Sequence, residues 1–276
     1  MSGTYIPLPS RAVIALSGDD AKTFLQGIVT NDVTKLSPTQ PLYALMLTPQ
    51  GKFYFDMFVV EAGDGSILLD VDAERKDALM KRLAMYRLRS KVEIADAGAL
   101  ACYAIIGDAA AEQSAHGIVY ADPRKKELGS RAMLLQSDGA KHLESLGLKE
   151  SNIAAYNTQR ILLGVPDNND MDAEKSFPLQ FRMDELGAID FNKGCYVGQE
   201  VTARTKHRGT VRRLSYSVKA DANLPAKGTS VSLNEKQIGE LCSVSGNVAI
   251  AHLESEALEQ AAGAVPSVNN TQLKIV

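Results

Sequence analysis

A chain of 276 residues, 45% hydrophobic and 23% charged, is long enough to bury a sizeable core and to divide into more than one domain. Its formal charge of -3 at pH 7 argues against general nucleic-acid binding, and no run reaches the roughly 18 apolar residues of a membrane span. Cys102, Cys195 and Cys242 are too few and too widely spaced for a disulfide framework or, alone, for the roughly four thiolates an iron–sulfur cluster takes; with no signal-peptide pattern at the start, the expected compartment is the cytoplasm.

In chain order, residues 11–16 (RAVIAL) form a short apolar run. Asp19 gives a helix start ahead of Ala21, Phe24, Leu25 and Ile28, whose spacing predicts one amphipathic helix over residues 21–33, closing near Asn31. Thr30, Asn31 and Asp32 at its end read as capping and turn chemistry. Residues 41–72 hold short apolar runs punctuated at Pro49 to Gly51 and at Gly63 to Gly65, a meander of strands with hairpin turns. Asp56 interrupts the run of Phe53, Tyr54, Phe55, Met57 and Phe58, and a carboxylate there must face solvent or be paired. A helix is predicted from Glu74 to about Arg89 with Leu79, Leu83 and Tyr86 on one face, followed by strands at VEIADA and ACYAIIG.

Further strands are expected at GIVYAD and RAMLLQ, around the turn-prone DPRKKELG. A helix over residues 151–163, with Ile153, Tyr156, Ile161 and Leu162 buried, ends at Pro166. The acidic loop DNNDMDAE lacks the glycine of a calcium loop, with Lys175 in its place, and reads as solvated. No metal site is expected, and neither a P-loop nor HExxH nor GxSxG occurs.

The densest chemistry lies in FNKGCYVGQEVTARTKHRGTVRR, from Phe191 to Arg213. Gly194 and Gly198 flank Cys195, so the cysteine is expected on a turn, where Lys193 would favour its thiolate; the competing reading is a buried, inert thiol. Val201, Ala203 and Thr205 alternate with Thr202, Arg204 and Lys206, which predicts a strand. With His207, Arg208, Arg212 and Arg213 it is the most basic stretch, either a solvated face or an anion site. Beyond Val211, short strands at SYSVKA, TSVSLN, KQIGELCSVSG, NVAIAHL and TQLKIV indicate a small barrel or sandwich. The expected division is therefore 1–210 and 211–276, in an α+β chain.

LTPQGKFYFDMFVV, RILLGVP, FPLQF and above all K-G-C-Y-x-G-Q-E, from Lys193 through Gly194, Cys195, Tyr196, Gly198 and Gln199 to Glu200, resemble the YgfZ-type folate-binding proteins of iron–sulfur cluster assembly, relatives of the glycine-cleavage T-protein. The resemblance implies a T-protein-like body of mixed sheets and helices around a central pocket, a C-terminal β-barrel, and tetrahydrofolate or a related reduced folate as ligand. It also implies iron–sulfur assembly machinery or client proteins as partners, with Cys195 and Lys193 as functional residues, Cys195 in a redox or ligating role. Asn31, Asp32, Asp56, Arg204 and Arg208 are the candidate folate contacts. The alternative is a folate-dependent aminomethyltransferase. Against it, Phe55 and Asp56 stand where the T-protein carries paired aspartates, and Leu162 and Leu163 stand near its R-L-E run, so an accessory role without turnover is expected. RNA binding through the basic stretch is disfavoured by the scarcity of aromatics nearby.

Overall fold

The computed structural model describes residues 3–107, 112–261 and 263–276. Among these residues the chain forms three sheets and six α-helices: α1 (Ala21–Gln26), α2 (Lys76–Arg87), α3 (Gly139–Ser145), α4 (Ile153–Leu162), α5 (Gln199–Arg208) and α6 (Ser255–Glu259). The first sheet has the order Leu42–Leu47, Phe53–Glu61, Ile67–Asp72, Arg11–Ser17, Glu93–Asp96, with every pairing antiparallel. The second sheet centres on Leu100–Gly107, flanked by Gly3–Pro7 and Ser130–Leu135. Residues 213–275 build the third sheet, a nearly closed seven-strand barrel with its own core around Val218, Val231, Leu241 and Leu253.

The meander predicted over residues 41–72 is present, and its side-chain alternation explains the layering. Leu42–Leu47 is buried along its whole length because both of its faces are covered. Tyr43, Leu45 and Leu47 enter the core between the two body sheets, while Leu42, Ala44 and Met46 face the α1 side. A register shift opposite Met46 and Leu47 lets Phe53 point into the inter-sheet core and Phe55 away from it. Beyond that shift Asp56 shares its face with Phe58 and Val60, and is therefore buried.

Four expectations are corrected. The helix predicted over 21–33 stops at Gln26, because Val29 bridges to Met46 and Thr30 N donates to Leu45 O, drawing the β-branched residues onto the sheet edge. The strand predicted at Val201–Thr205 is helix α5. Its β-branched threonines fold their hydroxyls onto the carbonyls four residues back, Thr202 to Gly198 O and Thr205 to Val201 O, while Lys206, His207 and Arg208 sit at the favourable end of the dipole. On α4, Tyr156 and Ile161 are buried as expected, but Ile153 and Leu162 are exposed, and Arg160 takes the buried position. The acidic loop is not simply solvated: Asp170 is buried, accepts from the Ser243 hydroxyl at 2.7 Å and lies 3.6 Å from the Arg160 guanidinium, tying the loop and α4 to the barrel.

Between the body sheets sits an ionic network. Asp70, with no exposure, accepts from Arg11 Nε at 2.6 Å within its own sheet, and from Arg131 Nη2 at 2.6 Å and the Tyr120 hydroxyl at 3.4 Å across the gap. Burial would raise its carboxyl, but Arg131 and Arg11 hold it below the ordinary carboxylate range. Asp56 goes the other way: burial pushes it up, and Arg11, at 3.1 Å, only partly opposes this. A carboxyl held low in the native state stabilises it above the unfolded value of about 4, and that contribution drains away as pH falls through the native value. Asp70→Asn leaves two buried guanidinium groups short of a counter-charge, so a loss of about 3–5 kcal/mol is expected in urea unfolding at pH 7. A loss below about 1 kcal/mol would contradict the assigned role.

Candidate functional site

The motif segment opens on Lys193, whose side chain turns inward. Its Nζ donates to the carbonyls of Gln26 at 2.8 Å, Val29 at 2.6 Å and Asn31 at 2.8 Å. The end of α1 and the turn after it leave these oxygens without helical partners, and an ammonium has three protons to give them. Burial pushes the Lys193 amine down to about 8, against the pull of Asp32 and Asp190. Tyr196 is also buried, with its ring centre 5.2 Å from Lys193 Nζ; burial pushes its phenol up to about 12, and its hydroxyl has no partner among the described residues.

Between these two anchors Cys195 stands exposed, while Cys102 and Cys242 are buried. The loop is closed at its far end by Gly198, which has φ of 85° and starts α5. A Cβ there would come within 2.5 Å of Thr48 O, so glycine is required both for conformation and for the approach of the 48–51 turn. Gly194 meets nothing within 4 Å and has no positive φ, so the expected close approach holds at only one of the two glycines. Gln199 and the exposed Glu200 form the first turn of α5.

The expectation that Lys193 activates Cys195 is corrected, since its ammonium is spent on three carbonyls. The candidate folate contacts fall into three groups with different partners. Asn31 donates to Tyr43 O and Gly187 O, and Asp32 caps the 3-10 turn Val33–Lys35 through Thr34; both brace the carbonyl nest that holds Lys193. Asp56 lies in the inter-sheet cavity with Arg11 and Tyr43. Arg204 and Arg208 are exposed on α5. Among the described residues no group of three or more His, Cys, Asp or Glu side chains could hold a metal ion.

The inter-sheet cavity beside Asp56 is largely filled by the protein's own side chains. Arg131 lies 3.9 Å over the Phe58 ring, with Arg124 at 4.7 Å and Arg11 at 5.5 Å from the same ring. The space left is about 40 Å³. That accommodates a few waters, whereas small-molecule pockets run from roughly 300 Å³ upward. A pterin does not fit this cavity as it stands. Arg11, Asp70 and Arg131 went unnoticed in the sequence, although Asp70 between Leu69 and Val71 carries the same signal as Asp56, a charge inside an apolar run.

Two outcomes are expected. Iodoacetamide at neutral pH should alkylate Cys195 well before Cys102, whose thiol burial raises far above its ordinary range, and Cys242, pushed up to about 12. Peptide mapping in which Cys195 reacts no faster than the others would overturn the exposure argument. Lys193→Met removes three charge-assisted hydrogen bonds, so a stability loss of about 2 kcal/mol or more should accompany new proteolytic cleavage within residues 192–198. Unchanged protection of that loop would show that the ammonium does not anchor it.

Comparison with known proteins places this geometry in a family. Residues 10–124 match the model of the GCVT N-terminal domain and residues 212–275 that of the CAF17 C-terminal beta-barrel domain. The mitochondrial iron-sulfur cluster assembly factor IBA57 of Mus musculus is 31% identical over 285 residues, covering 93% of this chain and 79% of the mouse protein. The human protein is 30% identical, covering 91% and 78%. A mitochondrial IBA57 homolog from Coccidioides immitis is 34% identical over 234 residues, 76% of this chain; this chain spans only 55% of that fungal protein. The crystal structure of glycine cleavage system aminomethyltransferase T from Bartonella henselae shares the fold, with a TM-score of 0.78 at 15% identity over 99% of this chain and 84% of that one. The cytoplasmic expectation is corrected by these relatives, which are named as mitochondrial and point to that compartment instead. The chain belongs to the IBA57 family of iron–sulfur cluster assembly factors.

Proposed function

We propose that the chain is an accessory factor in iron–sulfur cluster assembly that offers Cys195 as one thiolate to a cluster whose remaining ligands come from a protein partner. The observation that carries this reading is the exposure of Cys195 on a loop pinned from both sides, by Lys193 in its carbonyl nest and by Gly198 against Thr48. A cluster takes about four thiolates, and this chain exposes one. The thiol gives its proton to solvent as the iron–sulfur bond forms, and the cluster is cargo rather than a resident group. The motif from Lys193 to Glu200 supports the narrower YgfZ-type reading of the same role.

Folate fails the fit at the inter-sheet cavity, so no step is routed through it. The aminomethyltransferase alternative loses ground for the same reason: Asp56, the carboxylate it would use, is tied to Arg11 in about 40 Å³ of free space. A mitochondrial location, as in the named relatives, agrees with the assembly role.

Anaerobic incubation with ferric citrate, sulfide and glutathione, the last standing in for a partner's thiolates and able to reduce part of the iron, tests the reading. Wild type should gain the visible absorption of a bound cluster, Cys102→Ser and Cys242→Ser should match it, and Cys195→Ser should retain roughly a tenth or less with an unchanged far-ultraviolet spectrum. Equal loading of Cys195→Ser and wild type, or no loading of wild type, would refute it.

A further inference from the structure

Helix α2 ends in a way that its local chemistry disfavours. Leu88, immediately after it, has φ of 45° and ψ of -108°, and Ser90 N donates to Arg87 O at 2.8 Å. Residues 87–90 thus form a tight turn whose first central residue needs positive φ, the place where glycine is strongly preferred over a bulky side chain. Burial does not compensate for this strain, because Leu88 is 87% exposed. Met85, one turn earlier, is 67% exposed, and these two are the most exposed large hydrophobic residues in the described chain.

Charge surrounds the pair. Lys81 lies one turn before Met85 on the same stripe of α2, and Arg87, Arg89 and Lys91 follow; all four are exposed, and none makes an ion pair among the described residues. Asp20 accepts from the Lys91 backbone N–H at 2.7 Å, and two exposed acids flank the four cations, Asp77 one turn before Lys81 on the same stripe and Glu93 two residues after Lys91, so the cations outnumber them. Two protruding apolar side chains within four cations make a wedge with an electrostatic collar. An apolar area of two residues is far below the roughly 800 Å² that each side of a stable protein interface buries. It suits an interfacial anchor, where shallow apolar insertion and attraction to anionic headgroups add together.

We propose that the Met85–Leu88 tip docks the protein on an anionic lipid surface. The contact is peripheral, because no described helix is long and apolar enough to cross a membrane. Strain at Leu88 is then retained because it holds the leucine outward, where it serves binding rather than folding.

Cosedimentation tests this with phosphatidylcholine vesicles made with and without one third phosphatidylglycerol. Wild type should bind the anionic vesicles roughly tenfold more than the neutral ones and be released by salt. Leu88→Gly should raise the thermal midpoint, since glycine suits the turn, while cutting the bound fraction at least about threefold. Arg89→Gln with Lys91→Gln should also weaken binding, and Arg204→Gln with Arg208→Gln, on α5, should bind as wild type. No preference for anionic vesicles would overturn the proposal and leave the tip to a protein partner. Wild-type binding by Leu88→Gly, a lowered thermal midpoint in that variant, or lost binding in the α5 variant would each overturn it as well.

Discussion

A buried carboxylate with no access to water, Asp70, fixes how the body of this protein is put together. It receives guanidinium groups from Arg11 in its own sheet and Arg131 in the facing sheet, so the two sheets meet around a charge that neither could bury alone. That solution shapes the rest of the cavity. Guanidinium planes need flat partners as well as acids, and Phe58 supplies one to Arg131, Arg124 and Arg11 at once. The space the fold leaves between its sheets is thereby occupied by the protein itself, and the chemistry available to a partner moves to the surface.

Lys193 makes the corresponding arrangement for the motif loop. Three carbonyls at the abrupt end of α1 would be costly to bury unpaired, and one ammonium satisfies all of them. Asn31 and Thr30 then fasten the same turn to the 187–190 segment, through Gly187 O and Ala188 O. Asn31, which the sequence marks as a candidate ligand contact, thus braces this turn together with Thr30, and the rigidity they provide is delivered to the loop on which Cys195 stands. A thiol held at a fixed place costs less to bring into a partner's coordination sphere than one on a mobile segment.

Much of this was legible in the residues. The meander over 41–72, helix α2 with Leu79 and Leu83, and the barrel strands follow from apolar period and turn residues, which operate locally. Helix α5 was not legible, because Val201, Thr202 and Thr205 mimic strand alternation, and their hydroxyl bonds to the preceding turn become visible only once the helix exists. Arg160 and Asp170 misled for another reason: charges are read as exposed unless their partner is known, and Ser243 lies more than seventy residues away in the barrel. At the site, the motif singled out Cys195 and Lys193, yet nothing local reveals that Lys193 points away from solvent into carbonyls contributed by residues 26–31.

The account separates a filled cavity from a working loop, and cells depleted of their own factor of this family can distinguish the two. The measurement is the activity of iron–sulfur enzymes after complementation with Cys195→Ser or with Asp56→Asn, a nearly isosteric change inside the cavity. The account predicts that Asp56→Asn restores those activities and Cys195→Ser does not. Restoration by Cys195→Ser, with failure of a stably folded Asp56→Asn, would contradict it.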